Sequence, residues 1–243
     1  MTYNLKYPEP SGPHAWPARR PMIAEVLRRT GPDIVGTQEG HYEQLRQIVA
    51  DSGRYQWVGV GRDPGGQGEF CAVLYDPVKL AVLDCRHFWL SDTPEEPGSA
   101  TADWGNRVIR MATQVEFRTT DGQRLLWLNT HLDHKSPEAR RRGAALIAGR
   151  LTGVDTPAVV SGDFNDVPGS AAYATLLTAG FTDTWTGPEH GTFGDWAAPR
   201  PDGERIDWIL TRGLTAKPAE LCLLHDGDRW PSDHVPVLAT LEL

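Results

Sequence analysis

The order of helical and strand-like segments most constrains the fold of this chain. From Tyr55 to Leu128 the apolar residues come in short runs bounded by turn residues, a pattern typical of β-strands. On both sides of this stretch, apolar residues recur at helical spacing. The predicted helices are Pro21–Thr30, Tyr42–Ala50, Ser136–Leu151 and Ser170–Leu177. The predicted strands are Thr2–Lys6, Asp33–Thr37, Gln56–Val60, Phe70–Tyr75, Leu80–Leu83, Val108–Phe117, Leu125–Leu128, Ala158–Ser161, Arg205–Leu210 and Val235–Leu241.

Helices at both ends of a β-rich middle favour an α/β fold, in which packed sheets are flanked by helices. The polar segment Ser91–Asn106 is predicted to be a long loop within this arrangement. No internal repeat, low-complexity tract or linker divides the chain. We therefore expect one domain that spans residues 1–243.

Polar residues repeatedly follow the predicted apolar strands. The ends of strands, and the loops after them, are where α/β scaffolds place catalytic groups. Each such residue alone is typical of a solvated loop end, but the series contains only Asn, Asp, Glu and His. We therefore predict that they meet at one site. The series comprises Asn4, Glu39, Asn129, His131, Asp163, Asn165, Asp207, Asp233 and His234.

The chemistry of this series is that of a phosphoesterase. Carboxylate and amide oxygens are hard ligands that suit Mg²⁺, Mn²⁺ or Ca²⁺. The three cysteines show no metal-like spacing, so no zinc site is predicted. A hard divalent cation commonly neutralises phosphate oxygens, and histidines near carboxylates supply acid–base groups. Together these residues point to hydrolysis of a phosphate ester.

Short motifs occur in a fixed order between residues 2 and 238: TYNLKY, VGTQE, GEFCAVLY, FWLSDTP, NTHLDHKSPEARRRGA, SGDFND, RIDWIL and SDHVPV. The series resembles the endonuclease/exonuclease/phosphatase superfamily, the deoxyribonuclease-I-like metal-dependent phosphohydrolases. The motifs FWLSDTP and NTHLDH are similar to those of a bacterial branch of it. The resemblance implies a four-layer αββα sandwich, with two mixed sheets packed face to face and helices outside.

The resemblance also implies roles at the metal and at the scissile phosphate. Glu39 would be the principal metal ligand, with Asn4 beside it and Asp233 completing the shell. Asp163 would orient or deprotonate the attacking water, and Asn165 would donate a hydrogen bond to a phosphate oxygen.

Further implied roles concern the two histidines and a conspicuous arginine. His131 and His234 would hold the phosphate from two sides, and one of them would move a proton. Asp207 would orient His234, and Glu69 would pair with His131. Arg110 resembles a phosphate-binding arginine of the family.

The charge balance bears on the substrate. The chain has 32 acidic and 24 basic residues and a formal net charge of −8, which disfavours binding to long nucleic acid by counterion release. We therefore expect a phosphatase or phosphodiesterase in which water attacks a small phosphorylated metabolite, nucleotide or short oligonucleotide in line. An endonuclease or exonuclease on DNA or RNA remains an alternative. Less favoured are an inactive binding protein and a sphingomyelinase-like phospholipase.

The sequence also gives expectations about location and partners. No apolar run approaches the length of a membrane helix, and MTYNLKYPEP lacks the apolar core of a signal peptide. We expect a monomer in the cytoplasm, secreted only if a signal peptide has been removed, with no stable protein partner. Substrate specificity is expected to lie in the loops Pro8–Trp16, Asp92–Asn106 and His190–Gly203.

Overall fold

Two six-stranded β-sheets occupy the centre of the computed structural model, which describes residues 1–243. The helices are α1 (Trp16–Thr30), α2 (Tyr42–Ser52), α3 (Pro137–Arg150) and α4 (Ala171–Thr178), with one 3₁₀ turn at Ala102–Trp104. The strands are β1 (Thr2–Asn4), β2 (Ile34–Gln38), β3 (Gln56–Val58), β4 (Gly61–Asp63), β5 (Gln67–Phe70), β6 (Val73–Tyr75), β7 (Leu80–Trp89), β8 (Met111–Thr119), β9 (Arg124–His131), β10 (Ala158–Asp163), β11 (Thr182–Asp183), β12 (Asp207–Arg212), β13 (Thr215–Ala216), β14 (Glu220–Leu221), β15 (Val237–Leu238) and β16 (Leu241–Glu242).

Both large sheets are mixed. The first has the strand order β14-β15-β1-β2-β6-β3, and the second has the order β11-β12-β10-β9-β8-β7. The pairs β1/β2 and β9/β10 are parallel, and the other neighbours in these sheets are antiparallel. Two small ribbons, β4–β5 and β13–β16, lie outside these sheets.

Three buried apolar clusters separate four layers of structure. One cluster joins α1 and α2 to the first sheet and contains Ile23 and Leu45. A second lies between the sheets and contains Val73 and Trp127. The third joins the second sheet to α3 and α4 and contains Ile147. The predicted sandwich of two packed sheets flanked by helices is confirmed.

Several predicted boundaries were wrong. Helix α1 begins at Trp16 rather than at Pro21: Pro17 fits its first turn, and the helix continues through Pro21, which lies inside it. The segment Phe70–Tyr75 is not one strand, since β5 pairs with β4 while β6 pairs with β2 and β3. Val235–Leu241 likewise divides into two short strands. None of the helices has both the length and the apolar character that a membrane crossing requires.

Strand register determines which polar residues meet. Across the second sheet, Asp163 at the end of β10 lies opposite His131 of β9 and Asp207 of β12. In the first sheet, Asn4 at the end of β1 lies opposite Gln38, the residue before Glu39. Because the ends of β1, β2, β9 and β10 lie at the same end of the sandwich, the polar residues gather there.

Candidate active site

A cleft of about 640 Å³ opens at this end of the sandwich. Asn4 and Asp207 are fully buried beneath it and bond to residues on its wall. Asn129, which belongs to the same polar series, lies instead between the sheets, where its side chain bonds to Gln38 and to two backbone carbonyls. The predicted site residues that line the cleft are Glu39, Glu69, Arg110, His131, Asp163, Asn165, Asp233 and His234.

Two of these residues adopt the left-handed backbone conformation that side chains other than glycine rarely take. Glu39 has φ 60° just after β2, and Asn165 has φ 49° just after β10. The amide N–H of Asn165 donates to Asp163 Oδ1 at 2.9 Å, and its side chain donates to the Leu132 carbonyl. Such conformations persist where the surroundings impose them, and they are frequent at active sites.

The Asn4 carboxamide holds the two carboxylates of the site together. Its Nδ2 donates to Glu39 Oε1 and to Asp163 Oδ2, both at 3.0 Å. Its Oδ1 accepts a hydrogen bond from the Lys6 backbone N–H at 3.0 Å, which fixes the orientation of the amide. The Asn4 side chain therefore positions the two carboxylates, and its predicted role as a metal ligand stays a prediction.

His234 and Asp207 form the predicted dyad. His234 Nδ1 lies 2.9 Å from Asp207 Oδ2, while His234 Nε2 lies 3.6 Å from Asp163 Oδ2. Burial alone would lower the pKa of His234, but the Asp207 and Asp163 carboxylates raise it to about 10. Burial raises the pKa of Asp163 itself, against the opposing charge of His234.

His131 faces Asp163 from the other side, but its neighbours are not those that were predicted. Its Nε2 lies 3.4 Å from Asp163 Oδ2, and burial, with the charges of Arg110 and Arg62, lowers the pKa of the imidazole well below its usual value. The predicted pairing of Glu69 with His131 is wrong. Glu69 is ion-paired with Arg62 at 2.5 Å, because the β4–β5 ribbon places these side chains across from each other.

Arg110 is a buried cation without a carboxylate partner. Its side chain is 5% exposed, its Nε has no hydrogen-bond partner, and its Nη2 approaches only His134 Nδ1, at 3.5 Å. Burial lowers the pKa of the guanidinium. An unpaired buried charge is costly, so this position favours an anion in the cleft.

Lys6 lies between two acidic residues at the opposite wall. Its Nζ is 2.8 Å from Asp233 Oδ2 and 4.0 Å from Glu39 Oε2. The Asp233 carboxylate thus binds a lysine ammonium here, and its predicted role as a metal ligand stays a prediction. Nothing in the sequence distinguished Lys6, although it directly follows the Asn4 motif.

Arg19, at the start of α1, was also missed by sequence reasoning. It is 2% exposed, and its five N–H groups all donate to backbone carbonyls. These carbonyls belong to the segments that carry Asn4 and Lys6, to the loop before α1, and to the segment that leads to Asp233. They are those of Leu5, Lys6, Tyr7, His14 and Pro231, at distances of 2.7 to 3.2 Å.

Comparison with known proteins identifies the family. The family model described as endonuclease/exonuclease/phosphatase matches residues 1–234. The chain belongs to this family. Its fold superposes with a TM-score of 0.91 on the endonuclease/exonuclease/phosphatase from Bacteroides vulgatus, at 34% identity over 100% of this chain and 97% of that one.

Two further relatives extend the comparison. The mannosyl-6-phosphatase of Bacteroides thetaiotaomicron has a TM-score of 0.86 and 28% identity, over 100% of this chain and 98% of that one. Protein angel of Drosophila melanogaster is 25% identical over 173 residues, which is 67% of this chain and 47% of that protein. The chain spans only 28% and 47% of the length of the curated relatives that it matches.

Members of the endonuclease/exonuclease/phosphatase family generally depend on a metal ion, and the donors of this cleft fit one. One ligand atom from each of Glu39, His131 and Asp163 lies within 4.8 Å of the other two. Carboxylate oxygens with one imidazole suit a hard or borderline divalent cation.

Proposed function

We propose that this protein hydrolyses phosphoric esters with a divalent cation, as a phosphatase or phosphodiesterase on small phosphorylated substrates. The observation that carries the proposal is Arg110, a buried guanidinium without an anionic partner in the same cleft as Asp163 and His234. Guanidinium groups bind phosphate oxygens through paired hydrogen bonds. A phosphoryl group beside Arg110 would supply the missing anion.

The chain's own residues account for the rest of the reaction. Asp163 accepts a proton from water, whose oxygen bonds to phosphorus while the bond from phosphorus to the ester oxygen breaks. The leaving oxygen takes up a proton from His234, whose pKa the Asp207 and Asp163 carboxylates raise, while His131 faces Asp163 from the other side. Asp207 holds His234 so that its Nε2 faces the cleft, and Asn165 has a side-chain N–H left for a phosphate oxygen.

A divalent cation held by Glu39, with Asp163 and His131 near it, would neutralise phosphate oxygens and favour departure of the leaving oxygen. Mg²⁺ and Mn²⁺ are the cations that we propose, with Ca²⁺ as a third candidate. Glu39 is the principal ligand in this proposal, since it lines the cleft and its carboxylate is held 3.0 Å from the Asn4 amide that also holds Asp163.

A small substrate is favoured over long nucleic acid. The run Arg140–Arg142, the most basic stretch of the sequence, is occupied by ion pairs: Arg140 binds Asp166, and the other two arginines bind Glu138. It therefore offers no free track for a polymer backbone. The mannosyl-6-phosphatase among the solved relatives supports a phosphate monoester as substrate.

The proposal is tested with a panel of phosphate monoesters, phosphate diesters and labelled DNA and RNA, in EDTA and then with added Mg²⁺ or Mn²⁺. We expect metal-dependent turnover of small esters, and a rise of at least about tenfold in KM for Arg110→Gln. The matched control is Arg118→Gln, since Arg118 is exposed and does not line the cleft. Equal KM values for both variants would contradict the role of Arg110. If only long DNA in the panel is cleaved, the nuclease alternative is favoured.

Three expectations from the sequence stay predictions: one domain over residues 1–243, a monomeric state, and the absence of a stable protein partner.

A further inference from the structure

Two groups of side chains that differ in chemistry line the cleft. Arg62, Arg110 and His134 form a basic group, in which Arg110 Nη2 lies 3.5 Å from His134 Nδ1. The other group has the aromatic rings of Phe193 and Trp196 and three carboxylates that make no ion pair, those of Glu9, Asp195 and Glu204. We call these last five residues the aromatic and acidic half of the cleft.

Phe193 is fixed next to His234. The Val235 N–H donates to the Thr192 carbonyl, and the Gly194 N–H donates to the Asp233 carbonyl, both at 2.8 Å. The ring of Phe193 lies edge-on to the imidazole of His234, with centroids 5.1 Å apart, yet the residue is 43% exposed. A rigid apolar surface therefore stands beside the reacting centre and faces the cleft.

Trp196 is held equally firmly. His14 stacks on its indole, with ring centroids 3.8 Å apart and planes 7° apart, and the guanidinium carbon of Arg19 lies 5.3 Å from its centroid. Asp195 and Trp196 both have left-handed backbone conformations, with φ 46° and 69°. This stack joins the segment before α1 to the segment after β11, two of the loops in which specificity was expected.

We propose that the aromatic and acidic half of the cleft binds the leaving group, and that it selects the monophosphate of a neutral sugar. The proposal rests on the proposed function. Carboxylates accept hydrogen bonds from hydroxyl groups, and aromatic faces pack against the C–H faces of a sugar ring. In the reaction, water adds to phosphorus, the bond from phosphorus to the sugar oxygen breaks, and free sugar and inorganic phosphate result.

The carboxylates of this half of the cleft disfavour the binding of compounds that carry a second phosphate. A second phosphate on the leaving group would lie near unpaired carboxylates, where like charges repel. Oligonucleotides and sugar bisphosphates carry such a group, whereas sugar monophosphates do not. A nucleoside monophosphate also lacks it, but it has fewer free hydroxyl groups for these acceptors than a hexose phosphate.

The test compares kcat/KM for a hexose 6-phosphate, the matching hexose 1,6-bisphosphate, a nucleoside 5′-monophosphate and methyl phosphate, a monoester without a sugar, all with Mn²⁺. We expect kcat/KM for the hexose 6-phosphate to exceed the values for the bisphosphate and for the nucleotide by at least about tenfold. The double variant Asp195→Asn, Glu204→Gln should lower the ratio of kcat/KM for the hexose 6-phosphate to that for the bisphosphate. The control Asp202→Asn removes a carboxylate from the same loop but outside the cleft, and it should leave that ratio unchanged.

A second variant tests the aromatic wall. Trp196→Ala should lower the ratio of kcat/KM for hexose 6-phosphate to that for methyl phosphate by roughly three- to tenfold. Tyr42→Ala, at an exposed aromatic residue outside the cleft, should not change it. If methyl phosphate is hydrolysed but the bisphosphate or the nucleotide matches the hexose 6-phosphate in kcat/KM, the leaving-group proposal is overturned and the proposed function stands. If no ester is hydrolysed, both are overturned.

Discussion

At the scale of single residues, Arg19 joins the segments that carry the site without entering the cleft. A lysine has fewer donors and no planar fork, so it cannot replace the five carbonyl contacts. We expect Arg19→Lys to lower the free energy of unfolding by about 2–4 kcal/mol, because buried carbonyls lose their partners. Urea unfolding measures this. Arg20→Lys, at an exposed pair with Asp51, should cost less than about 1 kcal/mol, and equal costs would contradict the account of Arg19.

Asp207 is the residue that tests the dyad. Asp207→Asn keeps the size of the side chain but loses the carboxylate that orients His234 Nδ1. We expect kcat to fall at least about 100-fold with little change in KM, since the dyad acts on the reacting atoms. Steady-state kinetics measures the loss, and circular dichroism verifies the fold. A variant with wild-type kcat would show that the dyad is not used.

His87, which does not line the cleft, makes the free energy of unfolding depend on pH. Its half-buried imidazole lies 3.2 Å from Thr113 Oγ1, and burial lowers its pKa from the ordinary value near 6.5. The unfolded chain then binds a proton at a pH where the folded protein does not, so stability falls as the pH drops below about 6.5. His87→Gln should unfold with a weaker loss between about pH 6.5 and 5. Thermal unfolding of both proteins measures this. If the unfolding midpoint falls equally with pH in the wild type and in His87→Gln, the account of His87 is wrong.

The polar series could be predicted to converge because strand ends and loop positions follow from apolar periodicity. Arg19, Lys6 and Trp196 could not be predicted in this way. Their contacts join segments far apart in sequence, and nothing local separates Arg19 from its neighbour Arg20. Arg62 is an intermediate case, since the Gly-rich turn between β4 and β5 indicates a ribbon that brings it to Glu69.

At the scale of elements, register was the decisive unknown. The patterns placed β9, β10 and β12 approximately, but the direct opposition of His131, Asp163 and Asp207 depends on pairings that periodicity does not specify. Short strands such as β15 and β16 were merged because an apolar run continues through both. They are separate because β15 pairs with β1 and β14 in the first sheet, whereas β16 pairs with β13 in a separate ribbon.

Gly36 tests how closely the sheets approach. A Cβ at this position of β2 would lie 2.5 Å from Asn129 Oδ1 and 2.7 Å from Ser161 Oγ. We expect Gly36→Ala to destabilise the protein by about 1–3 kcal/mol, because it displaces Asn129 from its bonds between the sheets. The control is Gly149→Ala in α3, where a Cβ meets nothing within 4 Å and should stabilise by about 0.5–1 kcal/mol. Chemical unfolding of both variants decides, and a neutral Gly36→Ala would contradict the packing described.

At the scale of the whole molecule, a net charge of −8 does not prevent the cleft from holding an unpaired positive charge. The basic residues of α3 are neutralised by acidic neighbours, whereas Arg110 has none, so the positive charge free for a ligand lies at the site. A count over the sequence could predict an acidic surface but not where a cation remains unpaired. That depends on burial, which only the assembled sandwich determines.

The most direct test of the central claim is the kcat/KM of wild type and Asp163→Asn with a small phosphate monoester, measured after EDTA treatment and again with Mn²⁺. The account predicts no turnover by the wild type in EDTA and recovery with Mn²⁺. With Mn²⁺ present, it predicts a loss of at least about 100-fold for Asp163→Asn. Full activity of the wild type in EDTA, or of Asp163→Asn with Mn²⁺, would contradict it.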